Sequence, residues 1–171
     1  MPKIEVVKQR DLKDCGACCI ESILKFYGGY VPLEKVRDDT CTNMNGTTAF
    51  HIIKALCNYG FDAVGVKAES ILDENIYLPA IAHVQLKNGL QHFVVVYKIN
   101  EKYIHLMDPA KGKVKMSIQE FLDIWDNILI LITPSSNILN YTKELSIVGL
   151  FGKLLMKHKY LFLKIIITNI V

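Results

Sequence analysis

Residues 79–108 read PAIAHVQLKNGLQHFVVVYKINEKYIHLMD, three β-rich apolar runs (79–86, 92–99 and 103–108) joined by turn chemistry. The first junction holds Asn88-Gly89, the strongest short hairpin signal, and the second is Ile99-Asn100-Glu101-Lys102. Asp108-Pro109-Ala110-Lys111-Gly112 closes the third run. Such runs make an antiparallel meander. Upstream the period is helical. Asp14 caps a helix from Cys15 to about Tyr27, with Gly28-Gly29 as its stop and Cys19, Ile20, Ile23, Leu24 and Tyr27 as its apolar stripe. A short helix follows Pro32, and a third runs from Thr47 or Thr48 to Tyr59 with Gly60 behind it. Downstream, Ser117 and Glu120 form a capping box for a helix reaching Trp125, and Ile128 to Ile132 is one more buried strand. Helices followed by a meander give an α+β domain, with the N-terminal helices packed on an antiparallel sheet.

The chain has 171 residues, 51% of them hydrophobic, with 20 Lys or Arg against 17 Asp or Glu and a net charge of +3. That apolar fraction excludes a disordered chain, and the modest charge gives no reason to expect a nucleic-acid binder. The charge is uneven. Residues 149–171 hold Lys153, Lys157, Lys159 and Lys164 with no acid, so removing those four from 20 leaves 16 basic against 17 acidic residues for 1–148. Pro134-Ser135-Ser136-Asn137 reads as the exit from the last core element. Residues 1–134 are expected to form the domain, 135–146 a linker, and 147–171 a basic amphipathic helix. That tail suits either a membrane surface or, our preferred reading, a juxtamembrane helix entering a membrane domain cut short, because only about a dozen apolar residues remain against roughly 20 for a span.

Five cysteines (Cys15, Cys18, Cys19, Cys41, Cys57) form an odd set crowded at one end, unlike a secreted disulfide framework. The opening MPKIEVVKQRDLKD has no apolar core of a signal peptide, which places the thiols in a reducing cytosol. There is no GxxxxGK[ST] loop.

Cys15 falls at the first turn of its helix, where free N–H groups and the helix dipole favour a thiolate. Gly16 leaves the backbone open to an approaching substrate, and Gln9, six residues upstream, offers an amide to an oxyanion. Cys18, Cys19, Cys41 and Cys57 read as packed small hydrophobes. Cys15-Gly16-Ala17-Cys18 is also a CxxC, yet no strand precedes it and no second ligand pair accompanies it, which weighs against redox or zinc chemistry. For a base, His158 is in the tail and His51 on a helix surface. If the turn at Asn100 and Glu101 is symmetric, His92 stands opposite Asp108 on one face of the sheet, His105 on the other, and His83 opposes Val94 without a carboxylate. Only His92 then has an acid to orient it.

The pattern Gln9, Asp14-Cys15-Gly16-Ala17-Cys18-Cys19, His92-Phe93-Val94-Val95-Val96-Tyr97 and Asp108-Pro109 resembles the peptidase domain of bacteriocin-processing ABC transporters, over about residues 4–134. These are papain-like cysteine peptidases that remove double-glycine leader peptides. The resemblance implies Cys15 as nucleophile, His92 as base, Asp108 as orienting acid and Gln9 as oxyanion donor. Cys18 departs from the alanine expected there. It implies no cofactor or metal in these residues, with ATP and Mg2+ in the nucleotide-binding domain of a full-length transporter. The implied partners are a precursor peptide with a double-glycine leader, the rest of the transporter, a second copy in a homodimer, and the cell membrane through the tail, with the peptidase on its cytoplasmic side. The alternative is a catalytically silent docking domain of an exporter; a thiol-disulfide oxidoreductase is the third reading.

Overall fold

A continuous apolar run such as Val94-Val95-Val96 belongs in a strand covered on both faces, and the sheet is built that way. The computed structural model describes residues 3–73 and 76–135, together with Met156. Six strands, β1 (Phe61–Lys67), β2 (Ala80–Gln85), β3 (Gln91–Ile99), β4 (Tyr103–Asp108), β5 (Gly112–Ser117) and β6 (Trp125–Pro134), lie in the order β1-β6-β2-β3-β4-β5. Every neighbouring pair is antiparallel. Ile81, Phe93, Val95, Met107 and Ile130 pack toward the helices. Ala82, Val84, Val94, Val96 and Leu106 form a second core with Phe121 and Trp125. The α+β class holds.

Helix α1 (Cys15–Phe26) follows a single 3-10 turn, Leu12–Asp14. All of its residues from Cys15 to Leu24 are buried, so the expected stripe understates it. The helix is enclosed by α2 (Leu33–Asp39), α3 (Ala49–Asn58) and β3. Its polar groups survive burial because each has a partner: Ser22 Oγ donates to the Glu5 carbonyl at 2.6 Å, and Glu21 pairs with Lys25 at 2.8 Å. Gly28 and Gly60, just past α1 and α3, take φ of +81° and +87°, the left-handed stop that the sequence announced.

Three local expectations change. The helix after Ser117 is α4 (Ile118–Leu122), and its capping box is present, but Trp125 opens β6 instead of closing the helix. Pairing with Val84 and stacking on Phe121 at 5.7 Å draw Trp125 into the sheet. Strands β1 and β5 were not expected from the sequence. Both are edges, where charged residues such as Asp62, Lys113 and Lys115 dilute the apolar pattern.

Gly16 serves packing. A Cβ there would lie 2.4 Å from Thr47 Cγ2 and 3.0 Å from Ile52 Cδ1. Thr47 cannot turn away easily, because its Oγ1 donates to the Thr40 carbonyl at 2.8 Å. Gly16→Ala should therefore destabilise the fold by about 1–2 kcal/mol, overpacking exceeding the helix-propensity gain of ~1 kcal/mol. Urea unfolding measures this, and an unchanged midpoint would remove the packing role.

The chain divides into two units, Met1–Asn140 and Tyr141–Val171. The expected linker beyond residue 135 and the juxtamembrane helix lie outside the described residues, apart from Met156, which is helical and exposed. Among the described residues no helix is long and apolar enough to cross a membrane.

Candidate active site

Cys15 is the first residue of α1 and 7% exposed. Asp14 does not cap this helix with its side chain, contrary to expectation. Its fully buried carboxylate turns back and accepts the N–H groups of Asp11 (3.0 Å) and Arg10 (3.3 Å) through Oδ2. Its Oδ1 lies 3.2 Å from Arg37 Nε, a close ion pair without the aim of a true hydrogen bond. The turn that delivers Cys15 is thus tied to itself and to α2.

His92, the second residue of β3, is 5% exposed, and its Nε2 lies 2.9 Å from Asp108 Oδ1 at the end of β4. Cys15 also acts on the ring. With Nε2 engaged by the carboxylate, Nδ1 is the nitrogen left for the sulfur. Burial opposes a charged ring, but the bonds to Asp108 and Cys15 and their negative charge prevail and raise its pKa to about 9. Asp108 is lowered: burial works against the charge, and His92, the Ala110 N–H at 2.8 Å and Lys111 outweigh it.

The pairing of His92 with Asp108 arises differently from the expected register. The turn is Glu101-Lys102, with Asn100 N–H donating to the Tyr103 carbonyl, and Lys98 faces His105. Continued without interruption, that register would put Asp108 on the face opposite His92. A bulge at Tyr97 shifts it, giving Val96↔Leu106 and Val95↔Met107. Extended, the shifted register sets Asp108 across from Val94, so His92 reaches it diagonally on the shared face.

Gln9 reaches the same corner through its backbone, whose N–H donates to the Pro109 carbonyl at 3.0 Å. Its buried Oε1 has no partner among the described residues. Such an amide end is unspent in the folded chain.

The other thiols divide. Cys18 and Cys19 are fully buried, and burial, followed by nearby negative charge, pushes the Cys18 thiol up to about 12 and Cys19 well above its usual value. Cys41 and Cys57, expected to be packed, are exposed instead. His105 sits between Lys98 and Lys115, and burial followed by these cations lowers its pKa. His51 Nδ1 lies 3.1 Å from the Thr48 hydroxyl at the start of α3. Among the described residues no group of three or more His, Cys, Asp or Glu is placed to hold a metal.

Sequence reasoning misjudged His83. It faces Phe93, not Val94, and it does have a carboxylate partner: Nδ1 bonds Asp126 Oδ2 from β6. An alternation argument confined to β2 and β3 had no view of β6. His83 and Cys15 both line a cleft of about 750 Å³, with Leu12, Met44, Leu90 and Phe93 among its apolar walls.

Residues 3–137 match the model of the Peptidase C39 family. The chain is 37% identical over 163 residues to the lactococcin-G-processing and transport ATP-binding protein LagD of Lactococcus lactis subsp. lactis, covering 94% of this chain and 23% of the relative. It is 31% identical over 170 residues to the mesentericin-Y105 transport/processing ATP-binding protein MesD of Leuconostoc mesenteroides, covering 97% and 24%. The chain thus spans about a quarter of the length of these curated relatives. Its fold matches a double glycine motif protease from an AMS/PCAT transporter, solved in complex with the leader peptide, at TM-score 0.73 and 34% identity, covering 78% of this chain and 94% of that one. The peptidase domain of Streptococcus ComA matches at TM-score 0.73 and 31% identity, covering 78% and 100%. The resemblance read from Gln9, Cys15, His92 and Asp108 is thereby borne out at the level of family and papain-like fold, and the chain belongs to the peptidase C39 family of cysteine peptidases.

Proposed function

We propose that this chain is a double-glycine leader peptidase in which Cys15 is the nucleophile, His92 the acid and base, Asp108 the group that orients and charges His92, and Gln9 an oxyanion donor. The observation that carries the reading is His92 held by Asp108 at 2.9 Å with Cys15 acting on the same ring, Cys15 itself lining a cleft of about 750 Å³. The Cys15 thiolate attacks the carbonyl of the second glycine. The Gln9 amide and the Cys15 backbone N–H receive the negative charge on oxygen. The His92 imidazolium gives its proton to the leaving amine, and a thioester remains on Cys15. His92 then takes a proton from water, hydroxide equivalent adds to the thioester, and the leader acid departs as the thiolate re-forms.

The relatives' names supply the context: each is a processing and transport ATP-binding protein. By that analogy the substrate is a bacteriocin or signalling-peptide precursor. Its leader binds as an amphipathic helix, export by an ABC transporter follows cleavage, and two copies assemble at the cytoplasmic side of the cell membrane. In this reading residues 1–134 are the peptidase, 135–146 a linker and 147–171 the approach to the membrane, with ATP and Mg2+ assigned to no residue of this chain. A cysteine acting on a ring that a buried carboxylate holds disfavours the silent docking module.

The test is cleavage of a precursor peptide whose leader ends in Gly-Gly. The 171-residue chain should cut once, after the second glycine. Replacing that glycine by valine should lower kcat/KM at least about 100-fold, because mispositioning at the reacting carbonyl is costly. Cuts elsewhere, or indifference to valine, would contradict the assignment.

A further inference from the structure

The ladder between β2 and β6 slips at one place. Ala82 pairs with Leu129, yet Val84 pairs with Trp125, so β6 carries two extra residues there. Asn127, inside the slip, has φ of +69°, in the left-handed region that asparagine tolerates better than most non-glycine residues. The distortion is braced: Trp125 Nε1 donates to the Ile128 carbonyl at 3.0 Å, and Asp126 Oδ1 accepts from Ile128 N–H at 3.4 Å. Its product is the Asp126 carboxylate beside His83, and it is His83 that lines the cleft with Cys15. Bulges commonly re-aim a side chain next to a reactive site.

A carboxylate only accepts, so Nδ1 of His83 must carry the proton it shares with Asp126. In the neutral ring Nε2 is then a lone-pair acceptor. Nε2 has no partner among the described residues, and the His83 side chain keeps 17% of its surface exposed. A peptide lying in the cleft loses water from its backbone N–H groups and needs acceptors in exchange.

We propose that His83, held in one tautomer by Asp126, is a substrate-binding residue whose Nε2 accepts a hydrogen bond from a backbone N–H of the peptide beside Cys15. This rests on the reading of the cleft as a peptide site. His92 remains the ring paired with Asp108 beside the nucleophile; His83 sets where the peptide lies.

The experiment measures kcat and KM for the full chain, His83→Phe, His83→Gln and Asp126→Asn. Each is given the Gly-Gly precursor and a set of esters in which one backbone N–H at a time, away from the scissile bond, is replaced by oxygen. His83→Phe should raise KM about five-fold, the worth of one neutral hydrogen bond, with a smaller change in kcat. Gln, which keeps an acceptor, should recover most of that loss. One ester position should raise KM similarly in the unsubstituted chain and add nothing in His83→Phe. Asp126→Asn, which permits the other tautomer, should weaken binding of the parent peptide. Unchanged KM in His83→Phe, or an ester penalty that persists in it, would overturn the proposal. If His83→Phe does not fold, the ester series on the unsubstituted chain decides alone: no sensitive position means no such bond. A chain that cannot cleave the parent peptide removes both readings, whereas cleavage with KM indifferent to His83 removes only this one.

Discussion

Cys15→Ala is expected to lower kcat for Gly-Gly precursor cleavage by at least about 10⁴-fold while leader binding persists. The sulfur is the only atom at this position that can attack a carbonyl, and no other described thiol stands in the same relation to His92. Removing a nucleophile commonly costs nearly as much as removing the whole set it works with, because the residues act as a unit. Binding survives because the substitution leaves Leu12, Met44, Leu90 and Phe93 in place on the walls of the cleft. Cys18→Ala provides the contrast. Cys18 is fully buried and its pKa is about 12, so it is a thiol under any physiological condition. It should lose little activity, at a stability cost of about 1 kcal/mol for the small cavity. Equal loss in both variants would favour a dithiol mechanism. Product analysis by mass spectrometry, with leader affinity measured on each variant, checks both halves.

Asp108→Asn is the second large effect, with kcat reduced about 10²- to 10⁴-fold. Asparagine can still accept from His92 Nε2, so the ring keeps part of its orientation, but the charge that holds it cationic is gone. The pH profile should move with it. In the parent chain the imidazolium supplies the proton to the leaving amine, so kcat/KM should fall as pH rises through about 9. In Asp108→Asn that alkaline limb should fall at lower pH. Stability follows the same proton. His92 is raised in the folded chain from its ordinary 6.5, so its contribution is complete below pH 6.5 and fades as pH climbs to about 9. The amount is roughly 3 kcal/mol at most. Asp108 is lowered, so its contribution is present above its usual pKa near 3.8 and is lost as pH falls below it. The variant should lose the acid slope and keep only a smaller alkaline one, because Cys15 still acts on the ring. An NMR titration of His92 alongside urea unfolding at several pH values measures this; a His92 pKa unmoved by Asp108→Asn would refute the electrostatic role.

What could be read from sequence and what could not follows the range of the interactions. Helix stops at Gly28 and Gly60 and the Asn88-Gly89 turn are set by a few neighbouring residues, and these were readable. Cys15 at a helix start was readable for the same reason. Asp14 was misread because a cap residue and a buried ion-pair residue look alike until Arg37 arrives from another helix. Strands β1 and β5 were lost because edges need few apolar residues. His92 and Asp108 were matched by the two-residue period, although the turn was misplaced and a bulge at Tyr97 corrects the parity, something no pattern announces. Asp126 lies 43 residues beyond His83, and only the slipped ladder brings the two together.

Labelling with a leader peptide that ends in a Gly-Gly chloromethyl ketone probes the convergence of Cys15, His92 and Asp108 on one peptide bond. One equivalent should be incorporated, on Cys15, with activity lost in proportion and with labelling slowed in His92→Ala. Attachment to Cys18, Cys41 or Cys57, or cleavage that continues when Cys15 is fully labelled, would show that the sulfur at position 15 is not the attacking group.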